Sequence, residues 1–120
     1  MQQTHYDYII AGTGLAGLSL AMHMVKQKAL QDKRILLVDE VRKQANDRTW
    51  CFWEKGDGFF EPVVCKRWDK LWFHSASFSK KLSIAPYRYK MIRGIDFYRH
   101  CLETLEKSAN VTFLQAKVEN

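Results

Sequence analysis

The sequence is poor in the features that would route a chain to a membrane span, a metal or an export pathway. No apolar run is long enough to cross a bilayer; the longest, Leu15 to Val25, is broken by Ser19 and His23. The stretch from Met1 to Asp7 is polar and lacks a basic n-region, so no signal peptide is expected. Only three cysteines occur, Cys51, Cys65 and Cys101, widely spaced and without a CxxC. That spacing makes no zinc site or redox pair and suits a reducing cytosol. His5, His23, His74 and His100 show no metal-ligand spacing, and there is no GxSxG for a nucleophile. Repeats and low-complexity tracts are absent too.

What remains is an ordinary globular composition, 47% hydrophobic and 27% charged over 120 residues, enough for one small domain. The net charge is +6. Much of it lies between residues 80 and 99, where Lys80, Lys81, Arg88, Lys90, Arg93 and Arg99 face the single acid Asp96. Such a segment reads either as a contact for an anionic partner, such as a pyrophosphate or a membrane surface, or as a solvated face. Charge alone is no argument for nucleic acid, and none is expected as a partner.

Along the chain, "YDYIIAG" reads as a buried strand ending at Gly12. Leu15, Leu18, Met22 and Val25 then recur at helical spacing, predicting a helix over about 15–28. "RILLVDE" is continuously apolar from Ile35 to Val38, as in a parallel strand buried on both faces. Residues 1–40 therefore form a βαβ unit. Residues 41–92 are expected to hold a long aromatic loop and a small antiparallel insertion. Residues 93–120 are expected to give a helix from about Asp96, as N-cap, to Lys107, and a returning strand with Val111, Phe113 and Val118 facing inward. The fold class is α/β, Rossmann-like. A parallel sheet of about three strands is thin, so the chain is expected to be the incomplete N-terminal part of a larger two-domain protein.

Gly12-Thr13-Gly14-Leu15-Ala16-Gly17 is a GxGxxG placed between that strand and that helix, the context in which the motif has force. Gly12 serves the tight turn, Gly14 the approach of a pyrophosphate, Gly17 the packing of helix on strand. The helix start at Leu15 and Ala16 offers free N–H groups to phosphates. Asp39, followed by Glu40, ends the second strand, where a carboxylate accepts both ribose hydroxyls of an adenosine and repels a 2′-phosphate. FAD and NAD share this fingerprint, and spacing does not separate them. The aromatic segment after the second strand is an organisation found in many flavoproteins, which by analogy favours FAD.

"NDRTWCFWE", residues 46–54, puts an arginine, two tryptophans, a phenylalanine and a cysteine into nine positions. With "DYIIAGTGLAGLSLA", "ILLVDE" and "APYRYKMIRGIDFY" it resembles the N-terminal part of the flavin-dependent lycopene cyclases, of the bacterial lycopene β-cyclase type. The glycine motif is shared by many flavoproteins; Thr49-Trp50-Cys51-Phe52 is the more specific match. The resemblance implies a peripheral membrane enzyme of the cytoplasm that cyclises the ψ-ends of lycopene without net redox change. FAD would be used reduced, with NADPH as reductant. It implies that Arg48 faces the pyrophosphate and that Trp50, Phe52 and Trp53 wall a cavity for the polyene. The family's acidic catalytic motif lies outside these residues, so no catalytic residue is assigned. A redox FAD enzyme of the hydroxylase or geranylgeranyl reductase type, and a truncated non-catalytic nucleotide-binding module, are the alternatives.

Overall fold

The computed structural model describes residues 5–119; Met1 to Thr4, part of the polar stretch read as lacking a signal peptide, and Asn120 lie outside them. The chain forms two compact units. The first joins residues 1–44 to 98–120, and the second is residues 45–97.

The first unit is the βαβ unit plus the returning strand. Strand β1 (Tyr8–Ala11), helix α1 (Leu15–Met24) and strand β2 (Ile35–Asp39) come in that order, and strand β8 (Val111–Gln115) returns at the end. Strand order is β1-β2-β8, all parallel, with Ile9 opposite Leu36 and Leu37 opposite Phe113. Its central place explains why β2 is apolar without alternation: Ile35, Leu36, Leu37 and Val38 are all buried. Edge strand β1 is less covered than expected, with Ile9 64% exposed. Leu18, Ala21 and Met22 of α1 are buried, as are Tyr98, Cys101 and Leu105 of helix α2 (Gly94–Glu106). Each such large apolar side chain contributes roughly 1.5–3 kcal/mol. Burial also pushes the Cys101 thiol up to about 12, which keeps it protonated.

Several boundaries shift. Helix α1 ends at Met24, short of the expected 28, and a 3₁₀ turn at Lys28–Leu30 follows. Strand β8 stops at Gln115, and Val118 is 65% exposed rather than facing inward.

In the second unit, residues 49–55 are not loop. Thr49–Lys55 is strand β3, paired antiparallel with β7 (Tyr87–Arg93), which pairs on its other side with β4 (Val64–Trp68). Strands β5 (Lys70–His74) and β6 (Ser79–Ser83) form a separate two-stranded hairpin. Helix α2 starts earlier than expected, at Gly94, and Asp96 sits in its first turn, gripped by Arg93 at 2.7 and 3.1 Å. The side-chain cap comes from elsewhere: Asn46 Oδ1 accepts the Ile95 N–H at 3.2 Å. The Arg48 carbonyl accepts the Gly94 N–H at 2.7 Å. "NDR" thus fastens the entry of α2, a role invisible in the sequence.

Candidate functional site

The glycine turn is built by backbone. Gly12 has φ +103°, a conformation that L side chains rarely adopt, and its N–H donates to the Val38 carbonyl at 2.7 Å. Gly17 lies against that turn, where a Cβ would come within 1.9 Å of the Gly12 carbonyl oxygen. Gly14 differs, since a Cβ there would meet nothing within 4 Å. It occupies the N-cap of α1 without a side-chain cap, and the first turn holds no acid. The leading N–H groups of Leu15, Ala16 and Gly17 have no partner in a helix of this form, so the turn suits an anion.

Asp39 ends β2 beside this turn. Its Oδ2 accepts the Thr13 N–H at 2.7 Å and the Thr13 hydroxyl at 2.9 Å; Oδ1 accepts the Val41 N–H at 3.1 Å. Partial burial raises its pKa, but the Thr13 and Val41 N–H groups, the Thr13 hydroxyl and the Lys43 charge outweigh that. The carboxyl is held below its usual range and stays ionised. A carboxylate offers about four acceptor positions. Three are taken, which leaves Asp39 one acceptor position, on Oδ1. Thr13, 5% exposed, is the site residue that motif reading passed over as an "x".

Thr13 and Asp39 border a cleft of about 200 Å³ lined further by Val41, Arg42, Lys43 and Gln115, with Leu37, Leu102 and Phe113 as apolar wall. That is smaller than the ~300–1,000 Å³ usual for a whole ligand and of a size for one end of a dinucleotide. Arg42 pairs with Glu106, and Gln115 Nε2 donates to the Glu40 carbonyl at 3.2 Å, so the rim is fixed. Glu40 contributes its backbone to this rim, and its residue is exposed. The residues present fit an adenosine diphosphate moiety: an open anion turn, an ionised acid at the strand end, and a cleft bordered by that acid and by Thr13 of the turn.

The aromatic box belongs to the second unit. Alternation along β3 sends Trp50, Phe52 and Glu54 to one face and Cys51 and Trp53 to the other. The three candidate aromatics therefore do not form one wall. Trp50 packs edge-on to Phe97 at 5.4 Å, Phe97 meets Phe60 at 5.1 Å, and Phe60 meets Phe59 at 4.9 Å. This is the core of the unit. Phe52, half-buried, is opposite Lys90 on the same face. Trp53 is instead 54% exposed and lies tilted against Tyr89, centroids 4.7 Å apart, and Tyr89 lies 5.8 Å from Trp68. These three stand side by side in register across β3, β7 and β4. Arg48 is exposed on this unit and engages it through its carbonyl.

The basic segment is not one face. Lys90 is fully buried, donating to Glu54 at 2.8 Å, Glu61 at 2.7 Å and the Gly56 carbonyl at 2.7 Å. Arg88 pairs with Asp69 and Arg93 with Asp96. Burial raises the Glu61 pKa, but Lys90, the Gly58 N–H and Arg67 overwhelm it and hold the carboxyl down at about 2. A carboxylate so held is no proton donor near neutrality.

Residues 7–120 match the family model described as lycopene cyclase protein. A lycopene beta-cyclase of Pantoea ananas is 34% identical over 71 residues, which is 55% of this chain and 18% of that enzyme. Among solved structures, a mutant of PqsL from P. aeruginosa superposes with a TM-score of 0.72 at 20% identity. Another PqsL structure, titled a probable FAD-dependent monooxygenase from Pseudomonas aeruginosa, gives 0.69 at 18%. Each covers 92% of this chain, which spans 33% of theirs. At such identities the likeness is one of fold, and it agrees with an α/β, Rossmann-like unit carrying an antiparallel insertion.

Proposed function

We propose that this chain, which belongs to the lycopene cyclase protein family, is the FAD-binding part of an enzyme that closes the ψ-ends of lycopene into β-ionone rings. The observation that carries the reading is the meeting of the glycine turn and the ionised Asp39 at one cleft. In this reading Gly12, Gly14 and the N–H groups of Leu15, Ala16 and Gly17 hold the pyrophosphate. Asp39 takes one ribose hydroxyl on Oδ1. Bound and reduced at the expense of NADPH, the flavin would supply negative charge beside the cation made when the polyene end is protonated. The aromatic row of exposed Trp53 and half-buried Tyr89 and Trp68 suits an apolar polyene and a cation better than Trp50, which is committed to packing. Glu54 and Glu61, bound to Lys90, are not the acid of this chemistry. The substrate dissolves in bilayers, so the enzyme would work at a membrane surface.

The test expresses the full-length protein in bacteria that accumulate lycopene and separates the pigments by chromatography. β-Carotene or γ-carotene is expected, and Asp39→Ala and Gly14→Val should abolish it. Unchanged lycopene, with flavin present in the purified protein, would overturn the reading in favour of a redox flavoenzyme.

Thr13 gives a finer prediction. Thr13→Val removes one charge-assisted hydrogen bond, of about 1.5–3 kcal/mol, from Asp39 while keeping the N–H. ADP binding, followed by calorimetry, should weaken roughly tenfold, and Thr13→Ser should restore it. Equal affinity in all three proteins would show that the hydroxyl does not position the acid.

A further inference from the structure

The hairpin of β5 and β6 has no partner strand in either neighbouring sheet among the described residues. A two-stranded hairpin is at best marginally stable by itself. This one is nevertheless rich in exposed apolar surface: Trp72 is 60% exposed, Phe73 55% and Phe78 52%. Phe73 and Phe78 lie 6.3 Å apart beside the turn, which is closed by the Ser75 N–H donating to the Phe78 carbonyl at 2.7 Å. Phe73 and Phe78 thus share one face of the hairpin end and Trp72 lies on the other, and large aromatics on both faces of a hairpin are unusual on a surface that meets only water.

The charge around them is of one sign. From Lys70 to Ser83 there are three lysines and no acid. Lys81 stands directly opposite Trp72, and Lys80 opposite Phe73. Both lysines are exposed, whereas Lys90 is buried in an ion pair and the exposed Arg88 and Arg93 are engaged by Asp69 and Asp96. Trp72 and Phe73 thus each have a lysine directly across the hairpin, one on either face. That pairing suits an interface with apolar material below and anionic groups at its rim: a lysine stem lies along apolar surface while its head stays among the charges. Tryptophan and phenylalanine with lysine are the residues of peripheral membrane contacts. No described helix is long and apolar enough to cross a membrane.

We infer that the β5–β6 hairpin is a docking device for anionic lipid surfaces, with Trp72, Phe73 and Phe78 entering the headgroup layer and Lys70, Lys80 and Lys81 binding acidic headgroups. The inference deepens the proposed function and rests on it only for its purpose, since it supplies the contact through which a bilayer-dissolved polyene reaches the enzyme.

The experiment uses full-length protein and sedimentation with vesicles of phosphatidylglycerol and phosphatidylcholine, or of phosphatidylcholine alone. Binding should need phosphatidylglycerol and weaken with salt. K80E/K81E should bind on the order of twentyfold or more weakly, since each lysine lost near an acidic surface is worth about fivefold and each glutamate added repels. Its melting temperature should not move. Phe73→Ser/Phe78→Ser should also lose binding while keeping the melting temperature. Wild-type binding by K80E/K81E overturns the inference. So does unfolding of the serine variant, which would mean that other parts of the protein cover the hairpin. Lycopene cyclisation without hairpin-dependent binding sinks this inference alone; hairpin-dependent binding without cyclisation sinks only the proposed reaction.

Discussion

Replacing Lys90 with methionine is expected to destabilise the second unit by about 3–5 kcal/mol, the usual cost of removing one member of a buried ion pair. The lysine is fully buried, and its three donor positions meet Glu54, Glu61 and the Gly56 carbonyl. Without it, Glu54 loses its ion-pair partner, Glu61 keeps only Arg67 as countercharge, and the Gly56 carbonyl loses its donor. Urea unfolding followed by tryptophan fluorescence measures the loss. The triple variant Lys90→Met, Glu54→Gln, Glu61→Gln should recover much of it, because the side chains left without Lys90 are then uncharged. A single variant within about 1 kcal/mol of wild type would show that the cluster is dispensable.

The same cluster sets a pH window. Glu61 has its folded value lowered from 4.5 to about 2. Its contribution is therefore whole above about pH 4.5 and is lost as pH falls towards 2. Lys90 is displaced upward from 10.5: burial opposes the shift, but Glu54 and Glu61 outweigh it. Its contribution is whole below pH 10.5 and disappears as pH climbs past the raised value. Wild-type stability should fall on the acid side across that window, and in Lys90→Met the Glu61 part of the fall should shrink, leaving what Arg67 and the Gly58 N–H sustain.

Gly17→Ala should weaken ADP binding about tenfold or more and lower the melting temperature as well. The new Cβ would sit 1.9 Å from the Gly12 carbonyl oxygen and 3.0 Å from its carbon. Both atoms are backbone, so the helix must lift or the turn must deform, at an overpacking cost of about 1–3 kcal/mol. Either movement displaces the N–H groups of α1 from the phosphate position. Gly14→Ala is the contrast: its Cβ meets nothing within 4 Å, so the melting temperature should hold while ADP binding falls. Calorimetric titration with ADP and a thermal melt separate the two. A Gly17→Ala protein that melts and binds as wild type would remove close helix–turn packing from the argument.

The parallel unit was legible because β2 is apolar throughout and its neighbours obey strand and helix periods. The glycine turn was legible for the same reason, since its context was. Strand β3 was not. Trp50, Cys51, Phe52 and Trp53 are consecutive and apolar because both faces of the strand carry aromatics, which erases the period of two. Lys90 was hidden differently. A lysine in an alternating strand reads as solvent-facing, and only the folded chain brings Glu54 and Glu61 to it from 36 and 29 positions away. Thr13 was hidden by its motif, which leaves its position free.

The second unit interrupts the first, and that interruption has a consequence for how the chain acquires its structure. β2 and β8, hydrogen-bonded neighbours, are separated by the whole of residues 45–97. As the chain leaves the ribosome, β1, α1 and β2 are made early, but one edge of β2 stays bare until Val111–Gln115 arrives. The hairpin of β5 and β6, whose pairing is local, can close in microseconds. The pairing of Thr49 with Arg93 must wait for distant partners. Quick folding of the middle unit shortens the effective loop between β2 and β8 and lowers the entropy of joining them. Slow folding of that unit would leave an apolar strand edge open to other chains. Substitutions in the middle unit, far in sequence from the glycine turn, should therefore show themselves as aggregation of newly made protein before they show as lost binding.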